Sequence, residues 1–128
     1  MSTLNVSNIT DGTTTVGTSY VVNGSTKAWA NFTGVSSTAV RDSLNVSSLT
    51  DNGTGNTTVN FSSAMNNANY TGSWYTNSGN YTSHVDFSNY LTGGFGSRTT
   101  TSYGVFAWQN SNAIDAYFND TTIFGDLA

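Results

Sequence analysis

The chain contains no cysteine, no proline and no glutamate, and it has only one lysine and one histidine. Without cysteine there are no disulfide staples and no thiolate metal sites, and the redox compartment stays open. One lysine and two arginines stand against seven aspartates, for a net charge of −4. That balance supplies none of the positive field that nucleic acid or an anionic membrane surface requires, so neither is expected as a partner. No apolar run approaches the ~20 residues of a membrane-spanning helix. The opening residues, MSTLNVSNITDGTTTVGT, have neither a basic segment nor an apolar core, so no secretory signal is expected. Charged residues make up 8% of the chain and apolar ones 36%, where about 25% and 45–50% are ordinary.

Serine, threonine, asparagine and glycine fill the space. Disordered chains combine few aromatics with high net charge. Here aromatics are 13% of 128 residues, which supports one folded domain over 1–128. Eleven Asn-x-Ser/Thr triplets occur, among them Asn5, Asn31, Asn60 and Asn119. Without a secretory signal they read as abundant Asn and Thr falling two apart on strands, not as glycan acceptors.

The dominant period is two, so the fold class is all-β. Ala28, Ala30 and Phe32 share one face of KAWANF, and Lys27, Trp29 and Asn31 the other. Leu44, Val46 and Leu49 form an arm that TDNGTGN turns back into Thr57, Val59 and Phe61. Tyr70, Gly72 and Trp74 alternate, as do Tyr81, Ser83, Val85 and Phe87, and YGVFAWQ, AIDAYF and TTIFGD complete the set. Val16, Tyr20 and Val22 lead to Asn23-Gly24, a dipeptide suited to a tight hairpin. LTGGFGSRTTTS reads as a long flexible loop, and TAVRDSL is the one weak helical candidate. Together these give eight to ten short antiparallel strands in a β-sandwich or jelly-roll-like arrangement. Exposed strand edges are normally blunted by proline and lysine. Their scarcity predicts homo-oligomerisation, with 1–22 as a segment for attachment or oligomer contact, and subunit contacts that supplement a thin core.

Chemistry finds few footholds. His84 and Asp86 share a strand face in YTSHVDF, but any nearby hydroxyl among eighteen serines is a chance neighbour, and no nucleophile elbow is present. A glycosidase needs two set carboxyls, whereas aspartates such as Asp11 and Asp51 sit in turns they cap themselves. DNGTGN lacks the ligand spacing and closing glutamate of a calcium loop. GGFG is followed by neither helix nor lysine, as a phosphate cradle would be. Arg41-Asp42 reads as a local salt bridge or turn stabiliser, with a subunit contact as the alternative. No catalytic, cofactor or metal site is expected. Sugar binding keeps a foothold: Trp74, Tyr75 and Tyr81 surround a polar loop as a candidate glycan or partner contact, and Trp29 and Trp108 are candidates for outward-facing positions.

The segment from Lys27 to Tyr70 carries a string of features: AW-x-NF, AVRDS, NVSS followed by TDNGTG, VNF, and AM…ANY. With the opening MSTLNVSNITDG and the closing TIFGDLA, it resembles a module of phage tail-fibre-type and virion structural proteins, notably of marine and cyanobacterial phages. The stretch from Thr71 to Asp120 departs from the module, and AMNNANY lacks the proline the module has after methionine. The resemblance implies a non-enzymatic protein on the particle exterior, assembled in the host cytoplasm alongside other phage structural proteins. A tail-fibre or appendage component, associating as a trimer, is the leading expectation. A capsid decoration protein on the head shell is the alternative, and a carbohydrate-binding module is the alternative of another class. The length is too short for a fibre shaft, which favours a small tip subunit or a decoration protein, and partner-facing loops are expected between Thr71 and Ser102.

Overall fold

A computed structural model describes residues 5–77, 91–109 and 111–128. Eleven strands and one helix are found among them, and all strand pairing is antiparallel. β1 (Asn8–Thr10) and β2 (Thr15–Gly17) form a separate hairpin and lead into α1 (Thr18–Gly24). One sheet has the order β4 (Ala39–Leu44), β3 (Thr26–Thr33), β11 (Phe118–Phe124), β7 (Thr71–Asn77). The other is built on β5 (Val46–Asp51), β6 (Asn56–Phe61) and β9 (Ser102–Gln109). β9 pairs further with β8 (Leu91–Arg98) and with the two-residue β10 (Asn112–Ala113). The two larger sheets bury one face each against the other, as a sandwich does.

The period-two reading places this core. Ala28, Ala30 and Phe32 of β3 meet Val59 and Phe61 of β6, Tyr103 and Val105 of β9, and Ile123 of β11. Tyr70 donates its hydroxyl to Ser102 O at 2.8 Å and sets its ring edge-on to Phe61, 5.7 Å between centroids. Tyr103, fully buried, sits 2.7 Å from Thr121 Oγ1, which in turn donates to Ala30 O at 3.3 Å. Burial pushes the Tyr103 phenol up to about 12, against the opposing pull of the Thr121 hydrogen bond. Met65 in the AM…ANY link is buried and bridges to Leu127, which ties the C-terminal residues down.

Three local readings are corrected. Val16 lies on a strand, β2, but the hairpin expected at Asn23-Gly24 is instead the end of the helix α1, none of whose residues is buried. With no sheet beside it, nothing enforces extension, and local hydrogen bonding wins. TAVRDSL forms no helix: it contains β4, because β3 offers a free edge next to it. LTGGFGSR is no flexible loop but strand β8 against β9. Gly96 allows a close approach: a Cβ there would run into the Phe106 ring. Much of the expected loop surface between Thr71 and Ser102 is therefore strand, in β7 and β8. The candidate strand Tyr81–Phe87 lies outside the described residues, and so do His84 and Asp86.

The turn TDNGTGN behaves as read. Asp51 Oδ1 accepts the Gly53 N–H at 2.8 Å, and Asp115 Oδ1 accepts that of Gly55 at 2.8 Å. Gly55 has φ +67° and packs so closely that a Cβ would stand 2.5 Å from Ala107 O and 2.8 Å from Ile114 N. No other residue fits there.

Candidate functional site

The outward faces of the two sheets differ in chemistry. On the sheet of β5 and β6 the surface is a ladder of amides and hydroxyls: Asn60 Nδ2 reaches Ser48 Oγ and Thr50 Oγ1, both at 3.1 Å, and Asn52 Nδ2 reaches Thr58 Oγ1 at 2.8 Å. These groups satisfy one another. They explain how a surface with few charges stays wetted; Trp108, further along β9 opposite Ala113, is exposed.

The four-stranded sheet presents something else. Register pairs Asp42 with Asn31, Asn31 with Asp120, and Asp120 with Tyr75, so one residue from each of β4, β3, β11 and β7 falls in a single row. Phe32 and Asn119, one step away, are buried, so this row faces outward. Asn31 Nδ2 donates to Asp120 Oδ1. Tyr75 is 57% exposed, and its hydroxyl oxygen accepts from Asn77 Nδ2 at 3.2 Å. The next row holds Leu44, Trp29, Thr122 and Ser73, with Trp29 half-buried and Leu44 exposed.

At one end lies Arg41. The β3–β4 register shifts between Asn31 and Phe32, leaving Arg41 as the extra residue of a β-bulge. Its guanidinium lies over two exposed rings, 4.8 Å from the Tyr117 centroid and 4.4 Å from that of Phe118. Asp42 Oδ1 accepts the Ser43 N–H at 2.8 Å. The doublet is thus not a simple local pair: the arginine serves an aromatic cluster and the aspartate the outward row.

Of the residues singled out for sugar or partner contact, Trp74 and Tyr75 part company. Adjacent on β7, they point to opposite faces: Trp74 packs against the core, where its indole N–H has no partner, and Tyr75 faces out. The two do not form one platform, and Tyr81 lies outside the described residues. Trp29 does face outward, as its parity in KAWANF implies. Asn31 was placed on one face with Trp29 and Asp42 was read within the Arg41-Asp42 doublet, but their alignment with Asp120 was not legible, because the pairing of β3 with β11 joins residues as distant along the chain as Asn31 and Asp120. Among the described residues no group of three or more His, Asp, Glu or Cys side chains comes together to hold a metal.

A second feature is the N-terminal arm, residues 5–24. Its turn is tied by Asp11, whose Oδ1 accepts the N–H groups of Thr14 at 2.8 Å and Thr13 at 3.0 Å, holding its carboxyl below the usual range. Thr18 donates its N–H to Ser7 O at 2.9 Å. Val6, Ile9, Val16, Val21 and Val22 are all exposed, and Tyr20 is 75% exposed. The arm is joined to the sandwich through Lys27, again the extra residue at a register shift, here between β3 and β11. Lys27 is buried, and its ammonium donates to Val22 O, to Ser25 O at 2.8 Å and to Ser25 Oγ at 2.7 Å. A cation on the last carbonyls of a helix is favourably placed. Beside this junction an open groove of about 290 Å³ is lined by Asn23, Asn67, Asn69, Tyr70, Phe124 and Asp126, with Thr71 and Gly125.

Comparison with protein-family models, with curated proteins and with solved structures returns no match.

Proposed function

We propose that this chain is a non-enzymatic structural protein of the exterior of a bacteriophage particle, a tail-fibre or appendage component held in place by its N-terminal arm. The resemblance of Lys27–Tyr70, and of both ends of the chain, supports the class. The observation that carries the attachment is the arm itself, which displays six apolar side chains to solvent and buries none of its helix residues. An isolated two-stranded hairpin is marginal in water. The β1–β2 hairpin with its helix gains lasting order once its valines, isoleucine and tyrosine are covered by a neighbouring protein. Lys27 sets the angle at which the arm leaves the body.

The sandwich then serves as an exposed body, wetted by Ser, Thr and Asn rather than by charge. Subunits associate as trimers, which the low apolar content and the strand edges free of proline favour. Quantitative mass spectrometry of purified particles tests the reading: the chain is recovered in fixed stoichiometry, in multiples of three. Antibody labelling of intact particles then marks the tail or appendages. Label on the head shell instead assigns the chain to capsid decoration, and absence from washed particles overturns the proposal.

A further inference from the structure

We infer that the outward face of the four-stranded sheet is a saccharide-binding surface, with Tyr75 and Trp29 as ring platforms and Asp42, Asn31 and Asp120 as the hydroxyl-reading row. The inference does not depend on where the chain is mounted.

The geometry constrains the ligand. Neighbouring strands lie about 4.8 Å apart, so a row crossing four strands runs roughly 14 Å, longer than one sugar ring. Ionised carboxylates only accept hydrogen bonds, and the Asn31–Asp120 contact holds the central pair in place before any ligand arrives. An acceptor-rich row selects a donor-rich ligand. Tyr75 at the end of that row and Trp29 in the next add apolar planes, which want a partner with a flat, C–H-covered face. Hydroxyl donors around an apolar ring face are the chemistry of a neutral oligosaccharide. Charge-assisted hydrogen bonds from hydroxyls to carboxylates supply orientation, and stacking supplies contact area.

Two other occupants fit less well. A second copy of the chain would set this face's carboxylates against a protein with only three cations. Of these, Lys27 is buried under α1, and Arg98 lies 5.8 Å from the Phe95 centroid and donates to Tyr70 O at 3.2 Å. Buried carboxylates without a partner are costly. A strongly basic peptide would meet Arg41, which stands at one end of the row over Tyr117 and Phe118 and offsets one of the two acidic charges.

The test uses the full chain on an array of neutral hexose and N-acetylhexosamine oligosaccharides, followed by calorimetric titration with the sugar best retained. Tyr75→Ala and Asp42→Asn change exposed side chains, and thermal unfolding checks that both variants remain folded. Each weakens binding by about tenfold or more, while Thr50→Ala on the opposite sheet leaves it unchanged. Salt has little effect, because the ligand is uncharged. Failure of the array to retain the chain, or an affinity in both variants unchanged from that of the parent chain, overturns the inference. It falls equally if the face captures only a lysine-rich peptide in a salt-sensitive way, or if Tyr75→Ala alters the oligomeric state in sedimentation instead of sugar binding. Loss of sugar binding leaves particle stoichiometry untouched, so this failure is separable from that of the proposed function.

Discussion

Replacing Tyr103 with phenylalanine should make the protein less stable at neutral pH and relatively more stable in alkali. The hydroxyl of Tyr103 is fully buried and 2.7 Å from Thr121 Oγ1. Phenylalanine fills the same ring volume, so no cavity opens. What is lost is one buried hydrogen bond, while Thr121 keeps Ala30 O as acceptor at 3.3 Å. That loss costs about 1 kcal/mol. The alkaline limb follows from linkage. The phenol's folded value is raised to about 12, so its stabilising contribution is full below the unfolded value near 10 and is lost as pH rises toward 12. At pH 11 the unfolded state has already gained ~1.4 kcal/mol from ionisation that the native state resists. The Tyr103→Phe variant lacks that term. Urea melts followed by tryptophan fluorescence, run on both proteins from pH 7 to 11.5, should show a gap of about 1 kcal/mol that closes near pH 11. Tyr70, also raised by burial, titrates in both proteins and cancels in the difference. Parallel stability curves across this range would refute the reasoning, because they would mean that the Tyr103 hydroxyl is not held dry between the sheets.

Two further outcomes bear on particular residues. Gly55→Ala forces a methyl group against Ala107 O and Ile114 N at a positive φ, and should cost about 3 kcal/mol in the same urea melts. Lys27→Met removes the donor that holds Val22 O and Ser25. The Ser25 amide, which bonds Val21 O at 3.1 Å, should then exchange its hydrogen about ten to a hundred times faster, while the amides of β6 and β9 change less. Uniform loss across all strands would show that Lys27 supports the core rather than the arm.

Much of the sandwich was legible because burial and parity coincide. In β3, β6 and β9 alternate side chains face the opposite sheet and, Thr57 apart, are apolar, so the shared faces of Ala28, Ala30 and Phe32 and of Val59 and Phe61 were legible from the alternation. The same parity sends Trp29 out and Trp74 in, whereas grouping Trp74 with Tyr75 overlooked that neighbours on a strand face opposite ways. Two other misreadings share one cause: what decides them lies across the sheet. TAVRDSL is extended because β3 offers it an edge, and LTGGFG is a strand because it pairs with β9, with Gly96 leaving room for the Phe106 ring. Lys27 and Arg41 occupy the extra positions of bulges, where alternation stops predicting direction. The candidate binding row was hidden for a related reason: β4, β3, β11 and β7 bring it together, and only the first two are neighbours along the chain.

Under the proposed function, this body is carried on a particle by its exposed arm. Deuterium uptake of the chain, free in solution and assembled on purified particles, tests it most directly. Residues 5–24 should exchange rapidly when free and be protected on the particle, with the row from Asp42 to Tyr75 equally accessible in both. An arm that exchanges at the same rate in both states, with protection appearing on the sandwich faces instead, would contradict it.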